Sequence, residues 1–531
     1  MKLYTGTTSV LMAFNVSTAK REGLLGFAVR RKDHHKKNKH PEKWKWIKAM
    51  LQFPKPGQHR YYPINTNVAP IQKFRWSDYS VYANMEYTYQ LVGVYGTPEK
   101  LKYVYGPTIV IRTEHLNKGK HQIVFNRAVA ASQAYAHKKF GKTNPDDESA
   151  PLFQQARDWL TRGLRQKIEN FIKSAKNENY ALDVAIYEME YDGIVDLLKA
   201  AEDKGVQLNI VYHARKKDAQ TADNEHHLKP ISKKHKKPRV TSAIFHQKFM
   251  VLSKKNRKGE LVPQAVLTGT ANFTPNGLWR QANVVHVIKD KELAQEYSIL
   301  FNQLLESKGR GDTKKHINKV HPLPQDKDLF PSFSPRSKFV DIDLLESYIK
   351  NAKSELFLCS TFRMHKRITQ AIKDHHSIIR YGLQNSRTSI TGLHRNRSFT
   401  VPAILNKGLE GFLKESTKGQ RGNILIHLKT LILDFTTEDP IVIVGSHNFS
   451  NPASSKNDEN FVVIKGDTSV ADVYFGEMMR LYDHYRFRYN VKRKKKVKSR
   501  HQLALKPDDS WTNPYFKEGS LKFQERVQFN D

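Results

Sequence analysis

Hydrophobic and polar positions change texture twice along the chain. Up to about residue 115 the apolar positions alternate. In the stretch from Tyr87 to Tyr95, Tyr87, Tyr89, Leu91 and Tyr95 share one face at the two-residue period of a strand. Gly96, Thr97 and Pro98 then signal a turn, and Phe74, Trp76 and the run Thr108 to Arg112 suggest further strands. From about 150 the pattern becomes helices alternating with strands. The spacing predicts a helix over 152–175, a strand over 181–187, a helix over 193–201 closed by Gly205, and a strand over 206–212. A polar, lysine-rich loop is expected over 213–239. Strands over 243–252, 265–273 and 284–288 follow, with a helix over 292–305. A linker rich in Pro, Lys and Asp runs from about 309 to 335. Beyond it the same order returns: a helix over 342–352, strands over 356–360, 424–435, 441–449 and 461–464, and a helix over 470–486. Two halves with one element order are an internal duplication, and such alternation implies sheets flanked by helices.

The expected organisation is therefore a β-sandwich domain over 1–115, two α/β halves over 116–312 and 313–490, and a basic tail over 491–531. The stretch Ile71 to Pro98 resembles the edge of a fibronectin-III or immunoglobulin-like sandwich. Charge sharpens the picture. Lys and Arg number 89 against 52 Asp and Glu, giving a net charge of +37. Such an excess implies a polyanionic partner, nucleic acid first and an anionic lipid surface second. The run from Arg30 to His40 reads as a solvated basic loop, because its histidines have no regular ligand spacing. The run from Lys492 to Arg500 reads as a solvated tail that can also meet anions. One cysteine, Cys359, excludes an intramolecular disulfide and a Cys-based zinc cluster, and its apolar neighbours make it a buried small hydrophobe. No apolar stretch approaches the ~20 residues of a transmembrane span, and a cytoplasmic enzyme is expected. Oligomeric state is not legible.

The chemistry lies in two repeated strings. His246-Gln-Lys248 and His427-Leu-Lys429 each open an apolar run. Each is followed by a second string, Gly269-Thr270-Ala-Asn272 and Gly445-Ser446-His-Asn448. In an extended chain residues i and i+2 share a face, so each histidine points with its lysine, as do Thr270 with Asn272 and Ser446 with Asn448. Each half can offer an imidazole, an ammonium and an amide to one point. Two halves related by a pseudo-twofold would put the imidazoles on opposite sides of one bound group, with lysines and asparagines offering it positive charge and amide donors.

These strings resemble the phospholipase D superfamily, over roughly residues 150 to 490. The resemblance implies a phosphodiesterase that needs no metal or other cofactor and works through a phosphohistidine. One histidine attacks phosphorus; the other protonates the leaving oxygen and then activates water. Its catalytic set would be His246, Lys248, Asn272, His427, Lys429, Asn448 and Glu459, supported by Gln281, Thr270, Ser446 and Asp434. Two departures from the family pattern matter. The aspartate closing the motif is Asp434 in the second copy and Ser253 in the first. It lies seven positions after the histidine, on the opposite face, so it reads as supporting structure. The carboxylate that holds a histidine's other ring nitrogen is Glu459 in the second half, where the first offers Gln281. Assigning each to the histidine of its own half makes His427 the acid and His246 the nucleophile. The asymmetry is similar to that of the tyrosyl-DNA phosphodiesterase branch.

A nuclease is the leading functional expectation, with a phospholipase or phosphatidyl transferase and a non-catalytic nucleic-acid-binding protein as alternatives. Among the remaining residues, His213, His226, His227 and His235 read as a solvated lip contacting substrate phosphates in preference to a metal site, because their spacing suits no ligand set. Glu188 can either approach the site or simply end a strand and reads as the latter, and Tyr474, Phe475, Met478 and Leu481 read as core.

Overall fold

The computed structural model describes all residues except 36–38, 50, 55–62, 128–134, 136–139, 141–142, 307–308, 325, 386–425, 496–503 and 531. The chain forms two compact units, one built from Met1–Leu116 with Ala471–Asp531, the other from Asn117–Val470.

In the first unit, strands Lys2–Thr5, Val10–Ala13 and Arg75–Asp78 form one antiparallel sheet. Lys45–Trp46, Leu24–Asp33, Glu86–Thr97 and Lys100–Arg112 form another. Val10, Met12 and Phe14 share one core with Phe27, Val29, Tyr87 and Tyr89. The alternation from Tyr87 therefore buries the face expected of it. Two expectations are corrected here. Arg30–Asp33 is not loop but the end of a strand, where Arg31 pairs with Asp33 and Asp78; part of the basic run beyond it lies outside the described residues. The region 491–531 is not a free tail. Trp511 and Tyr515 complete this core, and the Trp511 indole N–H donates to the Leu24 carbonyl at 2.7 Å. The long helix Thr468–Lys495 likewise contributes most of its length to this unit, with Tyr474, Phe475, Met478 and Leu481 buried. Aromatic residues scattered in a charged sequence are what ties this segment down. The charge run beyond Lys495 lies outside the described residues.

The second unit holds the duplication. Its first sheet runs, in spatial order, His121–Phe125, Val284–Ile288, Leu261–Gly269, Lys248–Lys255, Tyr180–Ile186, Gln207–His213, Lys236–Arg239. Its second runs Leu329–Ser334, Glu459–Lys465, Ile441–Gly445, Thr430–Leu433, Glu355–Ser360, Ile379–Gln384. Over the first six positions the two agree, and Lys236–Arg239 adds a parallel edge strand to the first sheet. In each, one parallel pair is joined by a helix, Asp192–Asp203 or Lys366–Asp374, and the strands on the motif side are antiparallel. Ile342, Leu345, Leu356, Leu431, Ile443 and Val463 fill the second half's core. The expected 309–335 linker instead contains the helix Arg310–Val320 and the edge strand Leu329–Ser334. The expected 213–239 loop contains the helix Ala219–His227. High charge hid both elements. No helix among the described residues is long and apolar enough to cross a membrane.

The halves meet at their motifs. Phe245 bridges Asp458, and Ala282 bridges Ile426. The His246 N–H donates to the Asp458 carbonyl at 2.9 Å, and the His427 N–H to the Ala282 carbonyl at 3.1 Å. Each motif histidine is thus pinned by backbone from the opposite half.

Candidate active site

Both histidines stand just ahead of the regular strands beginning at Lys248 and Thr430, in extended chain. Alternation still holds there. The Lys248 ammonium reaches back to the His246 carbonyl at 3.1 Å, and Lys429 to that of His427 at 2.7 Å. Between them Gln247 faces away, accepting from the Asn460 amide at 2.6 Å. The glycine before each asparagine string allows a close approach. A Cβ on Gly445 would lie 2.2 Å from the Asn460 carbonyl oxygen, and one on Gly269 2.3 Å from that of Val284. That proximity lets the N–H groups of Thr270 and Ser446 bond those same carbonyls, which brings Asn272 and Asn448 alongside the motif strands.

His246, Lys248, Asn272, His427, Lys429, Asn448 and Glu459 are all buried. Their charges act on one another across the two halves. Burial first, then Lys248 and Lys429, push the His246 imidazole down to about 4, against the opposing pull of Glu459. Burial, Lys429, Lys248 and His246 itself drive His427 well below its ordinary value. Burial also lowers Lys248 to about 7, and burial with the like charge of Lys248 drives Lys429 well below its ordinary value, with Glu459 and Glu188 opposing in both cases. His246, Lys248, His427, Lys429 and Glu459 thus share one buried electrostatic environment, which Asn272 joins through Glu188.

The second ring nitrogens reveal a correction. Glu459 does not serve the histidine of its own half: the His246 Nδ1–H donates to Glu459 Oε2 at 2.9 Å. Burial pushes the Glu459 carboxyl up, but His246, with His447 and Asn457, together hold the group below its ordinary value. The His427 Nδ1–H is shared between the Thr270 carbonyl and Asn283 Oδ1, each at 3.0 Å. Gln281, expected to orient a ring, is buried but is not a partner of His427 Nδ1. The residue equivalent to Glu459 is Asn283. Strand register requires it, because Gly269 opposes Val285 as Gly445 opposes Phe461. A signal existed in the sequence: Asn283 lies eleven positions after Asn272, as Glu459 does after Asn448.

Both Nδ1 atoms therefore carry the proton and leave each Nε2 with its lone pair. The Thr270 hydroxyl donates to Asn283 Oδ1 at 2.8 Å, and the Asn460 N–H donates to Ser446 Oγ at 3.0 Å, so both hydroxyls brace the site rather than face substrate. Asp434 is remote from it, accepting the N–H groups of Lys353 and Ser354 at 2.7 and 2.8 Å.

Two site residues lie outside the expected set. The Tyr187 ring lies edge-on to His246, with centroids 5.0 Å apart, and the Lys248 ammonium sits 5.1 Å from its centroid. Glu188 accepts a hydrogen bond from the Asn272 amide, so it does more than end a strand. His213, expected on a solvated lip, is fully buried. It accepts the Phe245 N–H at 3.2 Å and bonds Asp218 at 3.2 Å, bracing the residue before His246. His227 pairs with Asp192 and His235 bonds the Leu208 carbonyl. No cluster of metal-ligating side chains occurs among the described residues.

A family described as "Cardiolipin synthase, PLD-like domain" matches residues 168–305 and 345–480, just over half of the chain and both motif regions. No curated protein sequence matches. Among solved structures, phosphatidylserine synthase of Haemophilus influenzae Rd KW20 is similar at 14% identity and a TM-score of 0.42, covering 64% of this chain and 92% of that one. Polyphosphate kinase from Porphyromonas gingivalis is similar at 12% identity and 0.41, covering 92% and 82%. A yeast tyrosyl-DNA phosphodiesterase is similar at 14% identity and 0.31, covering 56% and 86%. These likenesses concern fold and carry no argument about substrate.

Proposed function

The chain belongs to the phospholipase D-like family, and from that premise we propose that it hydrolyses nucleic-acid phosphodiester bonds through a phosphohistidine intermediate, without a metal ion. The observation carrying this reading is the pair of buried imidazoles, each held through Nδ1 by the other half and each leaving Nε2 for the shared site. Lys248, Lys429, Asn272 and Asn448 supply the positive charge and amide donors that a phosphoryl group developing charge in its transition state needs. The net charge of +37 favours nucleic acid as the carrier of that phosphate.

His246 is the nucleophile, on a different ground from the one its sequence offers. Attack through Nε2 forms a P–N bond, breaks the bond from phosphorus to the leaving oxygen, and leaves a cationic ring whose Nδ1 proton must stay in place. Glu459 holds that proton and offsets that charge. His427 has no carboxylate partner, so its imidazolium depends on the negative charge that the substrate brings. It gives its Nε2 proton to the leaving oxygen, then takes one from the water that cleaves the P–N bond. The second reading is phosphatidyl transfer, favoured by the matched family's description, in which an alcohol replaces that water.

The test is hydrolysis of labelled single- and double-stranded DNA, RNA and phosphatidylcholine vesicles, each with and without EDTA. Cleavage of nucleic acid that survives EDTA, and that both His246→Ala and His427→Ala abolish, is expected. Headgroup release from vesicles without nucleic-acid cleavage would replace this reading with the second.

A further inference from the structure

The phosphate-binding groups of this site include a carboxylate that the two-histidine chemistry does not use. Glu188 follows the strand Tyr180–Ile186, and its backbone is fixed beside the asparagine string: the Phe273 N–H donates to the Glu188 carbonyl at 3.0 Å, and the Glu190 N–H to that of Phe273 at 2.9 Å. The side chain turns inward, where Oε2 accepts from the Asn272 amide. It thereby holds one of the donors meant for a phosphate oxygen. Lys248 and Lys429 both act on it, and Glu190 faces it as a like charge.

The feature is one-sided. Ile186 opposes Lys248, and in the second half the residue beside Lys429 is Ser360, so the counterpart of Glu188 is Phe362. Phe362 is apolar and 48% exposed. A strand-ending carboxylate in the first half alone is therefore no requirement of the duplicated fold.

Charge states what it does. With both imidazoles neutral, Glu459 and Glu188 offset the ammonium charge that the buried Lys248 and Lys429 retain. A phosphodiester brings one negative charge. Hydrolysis turns it into a phosphomonoester, whose second ionisation near pH 6 brings about one more. In a buried site like charges repel strongly. Building on the phosphodiesterase reading, we propose that Glu188 is a specificity-determining charge filter that admits singly charged phosphodiesters and expels doubly charged phosphomonoesters, the product included. Burial, with the like charge of Glu190, pushes the Glu188 carboxyl up to about 7, against Lys248, Asn272 and Lys429; as pH rises through neutrality Glu188 gains charge and Lys248 loses it, both changes disfavour a dianion, and only the first is removed by substituting Glu188.

Calorimetric binding of inorganic phosphate to the full chain tests this without requiring turnover, so it is independent of whether any diester is cleaved. For the wild type, affinity should fall between pH 6 and pH 8. Glu188→Gln keeps the shape and removes the charge. It should bind phosphate at least tenfold more tightly than wild type at pH 8, with the gap narrowing at pH 6. Glu188→Ala, losing the same charge, should also bind more tightly. Structural damage would weaken phosphate binding, so the sign is decisive. Equal or weaker binding by both folded variants at pH 8, or no binding by any of the three proteins, overturns the proposal. Failure of the phosphodiesterase reading would show separately, as no cleavage of any diester.

Discussion

Glu459→Gln isolates the carboxylate on which the assignment of His246 as nucleophile rests. The substitution conserves volume at a fully buried position, and the new amide oxygen can still accept the His246 Nδ1–H now bonded at 2.9 Å. Geometry survives; charge is lost. A hydrogen bond to a charged buried group contributes about 1.5–3 kcal/mol net. The attraction between a carboxylate and a cationic ring roughly 4 Å apart adds an upper bound of about 4 kcal/mol at an effective dielectric of 20. Glu459 also helps to keep Lys248 and Lys429 charged, so its loss weakens the oxygen clamp in the same direction. A transition-state loss of about 2–4 kcal/mol follows, or roughly 30- to 1,000-fold in kcat/KM. Steady-state and single-turnover assays on bis(p-nitrophenyl) phosphate would locate the loss in the phosphorylation step. A fall of less than threefold in a folded variant, or a loss confined to the water step, refutes the reasoning.

Three further substitutions probe the site and its surroundings. Asn283→Asp places a carboxylate at His427 Nδ1, now 3.0 Å from the asparagine oxygen; a carboxylate raises the ring's pKa, imidazolium persists to higher pH, and the alkaline limb of the kcat/KM profile should move up by about one unit, whereas an unmoved limb contradicts the acid role. Asp434→Ala removes the acceptor for two backbone N–H groups and should cost about 1–3 kcal/mol in denaturant unfolding while leaving kcat/KM within threefold. Asp458→Ala leaves Arg239, paired with it at 3.2 Å, buried without its carboxylate, and should cost about 3–5 kcal/mol, seen as a lowered Tm.

The reactive groups were legible because their chemistry is local. His246 with Lys248 and Asn272, repeated as His427 with Lys429 and Asn448, needs only extended chain and a glycine turn to converge. What stayed hidden was set by contacts between halves. Glu459 is close in sequence to Asn448, yet the pseudo-twofold delivers it to His246, which no period along one half can reveal. Asn283 was readable from its equal spacing, but an amide carries no charge to mark it, so Gln281 drew attention instead. Glu188 looked like an ordinary strand end because its neighbour Asn272 lies 84 positions away. At the fold level, alternation identified the strands around Tyr87 and the duplicated α/β order. Charge misled over 213–239 and 491–531, where a few apolar side chains such as Trp511 decide burial.

Everything chemical here depends on His246 and His427 flanking one phosphorus, with the first forming the covalent bond. Rapid quenching of the full chain with a phosphorus-labelled p-nitrophenyl diester, whose leaving group needs no proton from His427, followed by peptide mapping under alkaline conditions that preserve phosphohistidine, tests that directly. Label is expected on His246, accumulating in His427→Ala and absent in His246→Ala. Label on His427 would reverse the roles, and turnover with label on neither histidine would contradict the shared-phosphorus mechanism itself.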